Sequence, residues 1–163
     1  MAIAKTLINY LEDRGIDYQL IEHAHTPTAV ASAHASHLPA HQVAKAVVLC
    51  DDAGYVISVL PANHSLEIDW VNEELERKLT LACEDEFKKL FSDCETGAVP
   101  ALGEAYGLKV IWDDELAYTS DIYIEAGDHT HLIWLERRDF RKLMKDLPHT
   151  IISKDEEVGN WKY

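Results

Sequence analysis

Cysteine, long apolar runs and positive charge are all scarce in this sequence, and each shortage excludes a class of protein. The three cysteines (Cys50, Cys83 and Cys94) are odd in number, lie far apart and form no C-x-x-C pair, which indicates free thiols in a reducing compartment. No run of about 18 apolar residues occurs, so we predict no membrane-spanning helix. The N-terminal segment lacks the layout of a signal peptide. We therefore expect a cytoplasmic protein without a membrane partner.

The charge balance argues against extended contacts with nucleic acid. Lysine and arginine total 15 against 29 acidic residues, which gives a net charge of −14. A protein that holds a duplex over many phosphates needs clustered cations. We therefore exclude DNA as a partner and expect any contact with a nucleic acid to be small and local. The one basic cluster, over 137–145, lies among acidic residues, and we predict that it forms a solvated helix face.

The composition is typical of one folded domain. The chain has 163 residues, of which 47% are hydrophobic, with 7 glycines and 5 prolines and no internal repeat or linker. We predict a single domain over 1–152. A charged C-terminal tail over 153–163 is predicted to be loosely held, with Trp161 as a candidate anchor.

A β-hairpin is the clearest local pattern. Apolar runs over 46–50 and 55–60 are joined by turn residues over 51–54, and Pro61 ends the second strand because proline has no N–H for the ladder. Lys45 stands at the mouth of the first strand, between two alanines. Its ammonium group must either reach water along a sheet edge or face an anion in a cleft. The hairpin alone leaves both interpretations open.

The remaining segments alternate between helical and extended patterns. Helices are predicted over 3–14, 27–37 (with Thr26 as cap and Pro27 in first position), 66–78 (capped by Ser65), 84–91 and 139–147, and strands over 18–21, 79–82, 108–112, 121–125 and 129–135. Residues 92–107 carry three glycines and a proline and are predicted to be a loop whose backbone approaches something closely. This order predicts an α+β fold, a single domain with a mixed, largely antiparallel sheet surrounded by helices.

Nine histidines raise the question of a metal site. His129 and His131 would share one side of a strand, whereas His34, His37 and His41 would share a face only if their helix continued past a proline. No H-E-x-x-H motif and no Cys/His set with structural-zinc spacing occurs. We therefore predict no metal and no cofactor.

A covalent nucleophile is also poorly supported. Cys94 lies in the glycine-bearing loop, but its neighbours Asp93 and Glu95 raise the pKa of the thiol, which is opposite to activation. There is no G-x-S-x-G elbow and no glycine-rich phosphate loop. We predict that Cys94 is buried as a small apolar side chain.

Seven short motifs follow one another along the chain. They are Tyr18…Glu22-His23, Thr28-Ala29, Ala44-Lys45-Ala46-Val47-Val48-Leu49, Val59-Leu60-Pro61, the loop from Gly97 to Gly103, Asp113, and Glu125-Ala126-Gly127-Asp128-His129. None is specific by itself, but their order and spacing over residues 15–147 resemble those of the YbaK family. These are editing domains related to the insertion domain of bacterial prolyl-tRNA synthetase.

The resemblance implies an activity. Members hydrolyse the ester that joins a wrong amino acid to the 3′ end of its tRNA, as free-standing proteins or synthetase appendages, without a metal, a cofactor or a protein nucleophile. Water is the nucleophile, assisted by the neighbouring ribose hydroxyl of the substrate. The implied partners are the 3′ end of aminoacyl-tRNA and an aminoacyl-tRNA synthetase.

The resemblance also implies residue roles. Lys45 would contact the substrate near the scissile ester or the terminal phosphate, and the loop beginning at Gly97 would surround the carbonyl with backbone N–H groups. The implied catalytic residues are Lys45 and Gly97. The implied substrate-binding residues are His23, Thr28, Ala98, Val99, Pro100, Ala101, Leu102, Gly103, Gly127 and His129.

One position departs from the family pattern. The family loop usually reads G-x-x-x-P, but the fifth position here is Ala101 and Pro100 falls one place early. Proline fixes φ, so this shift changes the loop backbone. The departure and the net charge favour an alternative, a non-catalytic module that binds an amino acid, a nucleotide or a protein partner. The retention of Lys45, Gly97 and His129 disfavours it.

Overall fold

The structure is a computed structural model that describes residues 3–156. Its helices are α1 (Lys5–Asp13), α2 (Ala29–Ala35), α3 (Ile68–Leu75), α4 (Glu84–Phe87) and α5 (Arg137–Met144). Its strands are β1 (Gln19–Glu22), β2 (Val43–Asp51), β3 (Gly54–Pro61), β4 (His64–Leu66), β5 (Thr80–Leu81), β6 (Lys109–Asp113), β7 (Asp121–Glu125), β8 (His131–Glu136), β9 (His149–Thr150) and β10 (Ser153–Asp155). Short 3-10 helices lie at Ala40–Gln42, Lys88–Phe91, Gly103–Tyr106 and Asp114–Tyr118.

The predicted α+β class is confirmed. Seven strands of the main sheet run in the order β1-β8-β7-β2-β3-β6-β9, β5 pairs with β2 as an eighth, and β10 pairs with β4 in a small second sheet. Parallel and antiparallel pairs both occur in the main sheet, so it is mixed. Among the residues that the structure describes, no helix is both long and apolar enough to cross a membrane.

The predicted hairpin is present as β2 and β3. The two strands pair from Ala44 opposite Pro61 to Asp51 opposite Gly54. Gly54 closes the turn at φ +131, a conformation that favours glycine because a Cβ would be strained there. Arg77, just after α3, clamps the turn, since its Nε and Nη2 atoms each donate to a carboxylate oxygen of Asp51.

Strand β2 changes its neighbour on the side away from β3. It runs parallel to β7 at two register positions, where Val43 and Ala44 lie opposite Tyr123 and Ile124. It then pairs antiparallel with β5, at Leu49 and Cys50. Residues 45–47 lie between these two partners, so the sheet has a gap beside Lys45.

Both faces of the sheet are buried. The larger core packs one face against α1 and α5, with Leu7, Leu11, Phe140 and Met144 almost completely buried. The smaller core packs the other face against α3 through Val71. A fully buried side chain of this size contributes about 1.5–3 kcal/mol, so these two cores fix the strands that surround the gap.

A buried carboxylate attaches the C-terminal strand to the sheet. Oδ2 of Asp113 accepts hydrogen bonds from the Ile152 N–H (2.9 Å) and from the Ser153 hydroxyl (2.6 Å), which also contacts Nδ1 of His64 at 2.8 Å. Residues 153–155, which we predicted to belong to a loosely held tail, therefore form strand β10. The rest of that tail from 157, with the anchor suggested for Trp161, lies outside the described residues.

Two predicted helix caps are wrong. Thr28, not Thr26, caps α2, because its Oγ1 accepts the Ala31 N–H at 3.1 Å while the Thr26 hydroxyl bonds Ser32. Ser65 does not cap α3, which begins at Ile68. Ser65 lies in β4, because β10 returns to pair with that segment.

Candidate active site

A cleft of about 160 Å³ opens where β2 separates from β7. Five of the residues predicted to form the site line it, namely Thr28, Lys45, Gly97, Val99 and His129. Most of the remaining wall consists of short side chains from α2 and β2, together with Glu125 and Leu132. The cleft is therefore small, and among its described lining residues Lys45 is the one lysine.

Lys45 is half-buried in this cleft. Burial lowers the pKa of its ammonium group below the usual lysine range, while the negative charge of Glu156 acts in the opposite direction. Within residues 3–156 the side chain forms no ion pair and no hydrogen bond. A partly desolvated ammonium without a fixed partner is suited to stabilising a negative charge that develops on a substrate.

The backbone of Ala46 faces the gap beside Lys45. The carbonyl of Val43 accepts the Ala62 N–H on the β3 side, and the carbonyl of Val48 accepts the Ala82 N–H on the opposite side. Successive residues of a strand direct their N–H and C=O groups to alternate sides, so Ala46 shares the direction of Val48. Because the described ladder with β7 ends at Ala44, the Ala46 N–H is left as a donor within the cleft.

Gly97 allows the loop backbone to approach its neighbours closely. Its φ of +82 favours glycine, and a Cβ at this position would lie 3.0 Å from Oε1 of Glu84 and 3.7 Å from Nε2 of His129. Within residues 3–156 the N–H groups of Gly97 and Val99 have no protein acceptor. The loop therefore adds two available N–H donors to the cleft wall.

A turn capped by a carboxylate holds His129. Oε2 of Glu125 accepts the N–H groups of Gly127 at 2.8 Å and of Asp128 and His129 at 3.2 Å each. The turn keeps His129 at φ +62, a left-handed conformation that is uncommon outside glycine. Its Nε2 lies 2.8 Å from the carbonyl oxygen of Thr96. The imidazole is thus fixed against the glycine loop.

The rest of the predicted glycine loop turns away from the cleft. Ala98 and Pro100 are buried, and Ala101 and Leu102 belong to the main core. A Cβ on Gly103 would lie 2.8 Å from Ile57 Cγ1, so this glycine lets the chain lie directly on the sheet. Ala101, the position that departs from the family pattern, therefore lies in the core beneath the loop and does not line the cleft.

Two further predicted residues also lie outside the cleft wall. Gly127, at φ +108, packs where a Cβ would lie 2.8 Å from Ala4 and 3.2 Å from the sulfur of Cys94. His23 is buried, with Nδ1 2.6 Å from the carbonyl oxygen of Ala24. Gly127 shapes the turn that carries His129, and the His23 N–H bonds Thr130 at the end of the same turn.

Eight of the described residues that line the cleft were not among the predicted site residues, and two of them, Glu125 and Ala46, contribute hydrogen-bonding groups that define the site. Glu125 belongs to one of the seven motifs, but no role was predicted for it. An acidic side chain two residues before Gly127-Asp128 indicates a carboxylate that accepts backbone N–H groups. The role of Ala46 could not be predicted from the sequence. It contributes a main-chain N–H, which is available because β2 changes its partner strand at this point.

The histidines do not assemble a metal site. The strand prediction for His129 is wrong, because β8 begins at His131, and the two imidazoles contact different groups. His131 lies 2.7 Å from Asp128 and 3.5 Å from Glu22. Over residues 3–156, no group of three or more His, Cys, Asp or Glu side chains is placed to hold a metal ion.

Cys94, predicted to be buried, is half-buried and does not line the cleft. Burial raises its pKa to about 12, and its sulfur lies 3.3 Å from the hydroxyl of Tyr106. A thiol with this pKa is not ionised near neutral pH and is a poor nucleophile.

Solved structures of other proteins share the fold of this chain. Among solved structures, hypothetical protein APE2540 is 19% identical, with a TM-score of 0.81 over 92% of this chain and 100% of that chain. A proposed trans-editing enzyme for prolyl tRNA synthetase is 20% identical, with a TM-score of 0.80 over 93% of this chain and 96% of that chain. A proposed signal transduction protein from Marinobacter aquaeolei VT8 is 17% identical, with a TM-score of 0.75 over 93% of this chain and 31% of that chain. These likenesses show a shared fold.

The sequence itself carries the family assignment. No curated protein matches it significantly. A family model described as an aminoacyl-tRNA editing domain matches residues 23–143, which is most of the chain and includes Lys45, Gly97 and His129. The chain therefore belongs to the aminoacyl-tRNA editing domain family, as its resemblance to the YbaK family predicted.

Proposed function

We propose that this protein is a free-standing aminoacyl-tRNA deacylase that hydrolyses the ester between a wrong amino acid and the 3′ end of a tRNA. The observation that carries the proposal is the convergence of one unpaired lysine, a glycine loop and a fixed imidazole on a single small cleft. Family membership supports the substrate class. Since the 3′ end of a tRNA is a small target, the net charge of −14 does not prevent such a contact.

In the proposed reaction, water attacks the carbonyl carbon of the ester and the carbonyl oxygen becomes an oxyanion. We assign its stabilisation to Nζ of Lys45 and to the N–H groups of Ala46 and Gly97. Donors already in place for such an anion usually supply the largest part of catalysis, and loss of one costs about 10²–10³-fold in rate. The ester bond to the ribose oxygen then breaks, which releases the amino acid and an intact tRNA.

The proton transfer is assigned to the substrate. Apart from Lys45, the polar side chains of the cleft already have protein partners: Glu125 accepts three N–H groups, His129 contacts Thr96, Thr28 caps α2, and Ser32 bonds the hydroxyl of Thr26. The ribose hydroxyl next to the ester therefore takes the proton from the attacking water and passes it to the departing ribose oxygen. His129 and Thr28 act as walls that orient the amino acid.

A deacylation screen tests the proposal. Purified protein is incubated with a panel of correctly and incorrectly charged tRNAs, beside Lys45→Ala and the control Lys78→Ala, which removes an exposed lysine that does not line the cleft. We expect release of an amino acid from a mischarged tRNA, about 10²-fold slower or worse in Lys45→Ala and unchanged in the control. Full turnover by Lys45→Ala would remove the lysine from the mechanism. Saturable binding without hydrolysis of any charged tRNA would favour the non-catalytic module.

A further inference from the structure

A second surface cavity, of about 730 Å³, collects most of the basic cluster of the chain. We call it the α5 groove. It is lined by the cations Arg138, Arg141, Lys142 and Lys145 and by the rings of Trp112, Tyr118 and His149. Asp114, which also lines it, is held by the imidazole of His149. Among residues 3–156, none lines both the groove and the cleft.

The cations of the α5 groove face solvent because the opposite side of the helix is anchored in the core. Phe140 and Met144 are buried, and the Phe140 ring packs edge-on against Trp112 at 6.0 Å. Arg138 lies 3.4 Å from Glu136, whereas Arg141, Lys142 and Lys145 form no ion pair within residues 3–156. In a chain with 29 acidic and 15 basic residues, three adjacent unpaired cations are a local reversal of sign.

An exposed aromatic ring accompanies these charges. Tyr118, at the end of a 3-10 helix, is 75% exposed, the largest fraction among the large apolar side chains described as exposed. Burial of this ring is not needed for the fold. A cationic groove beside an exposed ring is the combination that binds single-stranded nucleic acid, since the cations contact phosphates and the ring stacks on a base. The chemistry of the groove therefore matches a single RNA strand.

The groove and the cleft lie close to each other along the sheet. Trp112 is in register with Val59 of β3, and Val59 is in register with Ala46 of β2, which lines the cleft. Neighbouring strands are separated by about 4.8 Å, so the backbone at Trp112 lies about 10 Å from that at Ala46. Trp112 and Val59 are themselves buried, so the exposed route runs beside them, through a cavity of about 340 Å³ that shares Tyr118 with the groove. Pro61 also lines this cavity and lies opposite Ala44 of the cleft, so one strand of RNA can reach both surfaces.

We propose that the α5 groove binds the phosphate backbone of the tRNA strand that ends in the scissile ester, with Tyr118 stacked on an unpaired base. The inference rests on the proposed function, because the strand held in the groove is the one whose 3′ end occupies the cleft. Arg141, Lys142 and Lys145 each contact a phosphate. A local contact of this kind binds the substrate while the acidic remainder of the surface repels other RNA segments.

Binding of uncharged tRNA, followed by fluorescence anisotropy at several salt concentrations, tests the groove without any chemistry. The triple variant Arg141→Ala/Lys142→Ala/Lys145→Ala is compared with Lys5→Ala/Lys78→Ala/Lys109→Ala, which removes the same number of charges from exposed lysines outside the groove. We expect the groove variant to bind about 10- to 100-fold more weakly, with a slope of log K against log [salt] shallower by about 2, since each single-strand phosphate contact contributes about 0.7. Equal weakening in both triple variants, or none in either, would overturn the proposal.

Tyr118 gives an independent test that does not depend on charge. Tyr118→Ala should weaken binding of the same tRNA about tenfold, and Tyr118→Phe should restore it, because stacking needs the ring alone. Circular dichroism confirms that each variant is folded. If Tyr118→Ala binds the tRNA with wild-type affinity, the proposed stacking of a base on Tyr118 is refuted.

A minimal substrate separates this inference from the proposed function. An aminoacyl ester of adenosine occupies the cleft and is too short to reach the α5 groove. If the groove acts as proposed, its triple variant shows a lower ratio of tRNA turnover to minimal-substrate turnover than wild type. If the protein cleaves neither substrate but its tRNA binding depends on the groove, the proposed deacylase activity is refuted and the proposed role of the groove is supported. If the triple variant cleaves both substrates at the wild-type ratio, the deacylase activity is supported and the role of the groove is refuted.

Discussion

His129 and Thr96 are joined by a contact of 2.8 Å between the imidazole Nε2 and the main-chain carbonyl oxygen. A carbonyl oxygen can only accept, so Nε2 carries the proton in this bond. A second bond, from the Glu95 N–H to the carbonyl of Gly127 at 2.7 Å, links the same two segments. The glycine loop and the β7–β8 turn therefore form one continuous wall of the cleft.

Removal of the imidazole should loosen this wall. His129→Asn keeps a residue that tolerates the left-handed backbone but loses the bond to Thr96, so we expect deacylation to slow by about 10- to 100-fold through mispositioning of the loop. The matched control is His131→Asn, since His131 contacts Asp128 and Glu22 outside the cleft. Steady-state kinetics on a mischarged tRNA is the measurement. Equal losses in the two variants would contradict a specific role for His129.

Gly97 and Gly107 provide a matched pair for the glycine loop. Both have a left-handed φ, +82 and +72, but a Cβ on Gly97 meets Glu84 and the cleft, whereas one on Gly107 meets nothing within 4 Å. Alanine at either site carries a similar backbone strain of about 1 kcal/mol. We therefore expect similar losses in the free energy of unfolding, measured in urea, and a loss of deacylation confined to Gly97→Ala. Normal turnover by Gly97→Ala would argue against the proposed donor at this position.

Lys45 should lower the free energy of unfolding at neutral pH, although it is needed for the proposed reaction. Its pKa is lowered by burial, so the folded protein binds the lysine proton less tightly than the unfolded chain does. This penalty is fully present at neutral pH, below the folded pKa, and it disappears as pH rises to the unfolded lysine pKa of about 10.4. We expect Lys45→Met to be at least as stable as wild type at pH 7, with any advantage shrinking towards pH 10, and to be at least about 10²-fold slower in deacylation.

Urea unfolding of wild type and Lys45→Met at neutral and alkaline pH measures the effect on stability. A variant that is clearly less stable at pH 7 would show that the ammonium makes a favourable contact in the folded protein. The exposed Lys78→Met provides the comparison for a lysine outside the cleft.

The ion pair at the turn of the β2–β3 hairpin should make the free energy of unfolding decrease at acidic pH. The Arg77 guanidinium, through its hydrogen bonds, lowers the pKa of Asp51 from 3.8 to about 2. A depressed carboxyl pKa stabilises the folded protein above the unfolded value, and this contribution is lost as pH falls from 3.8 towards about 2. Asp51→Asn should therefore be less stable than wild type at pH 7, with a smaller difference at pH 3. Asp52→Asn, an exposed neighbour on the same turn, is the control, and a difference that grows in acid would contradict this explanation.

The segments predicted correctly are those whose structure depends on near neighbours in the sequence. The hairpin of β2 and β3 follows from two apolar runs and a turn, and strand β7 has the predicted bounds 121–125. The errors arise from distant partners. The sequence pattern predicts that Ser65 caps a helix. In the structure its hydroxyl donates to Glu156, and its strand pairs with β10. Strands β9 and β10 are short and consist of polar residues, so their sequences carry no strand pattern and their pairing alone defines them.

The candidate site was predictable to a similar degree. Lys45, Gly97 and His129 are unusual in their local sequence, and all three line one cleft. The residues from Ala98 to Gly103, apart from Val99, do not line it, because the sequence shows that a glycine loop exists but not which face it turns to the core. The cation cluster over 137–145 was predicted as a solvated helix face, and its five lysines and arginines are exposed. Tyr118, which lies beside these cations, comes from a different part of the chain. The α5 groove that the tyrosine and the cations form together could therefore not be predicted from the sequence.

The exchange of partners along β2 has a mechanical consequence. Within the part of the chain that the structure describes, strands β1, β8 and β7 are joined to the rest of the main sheet by two register pairs, whereas β7 and β8 are joined by five. Local opening is easiest where few ladder bonds must break, so this seam is where the two halves of the sheet can rotate slightly against each other. Lys45 lies on one side of the seam, and the turn that carries His129 lies on the other. A substrate bound between them would bridge the seam and stiffen the whole sheet.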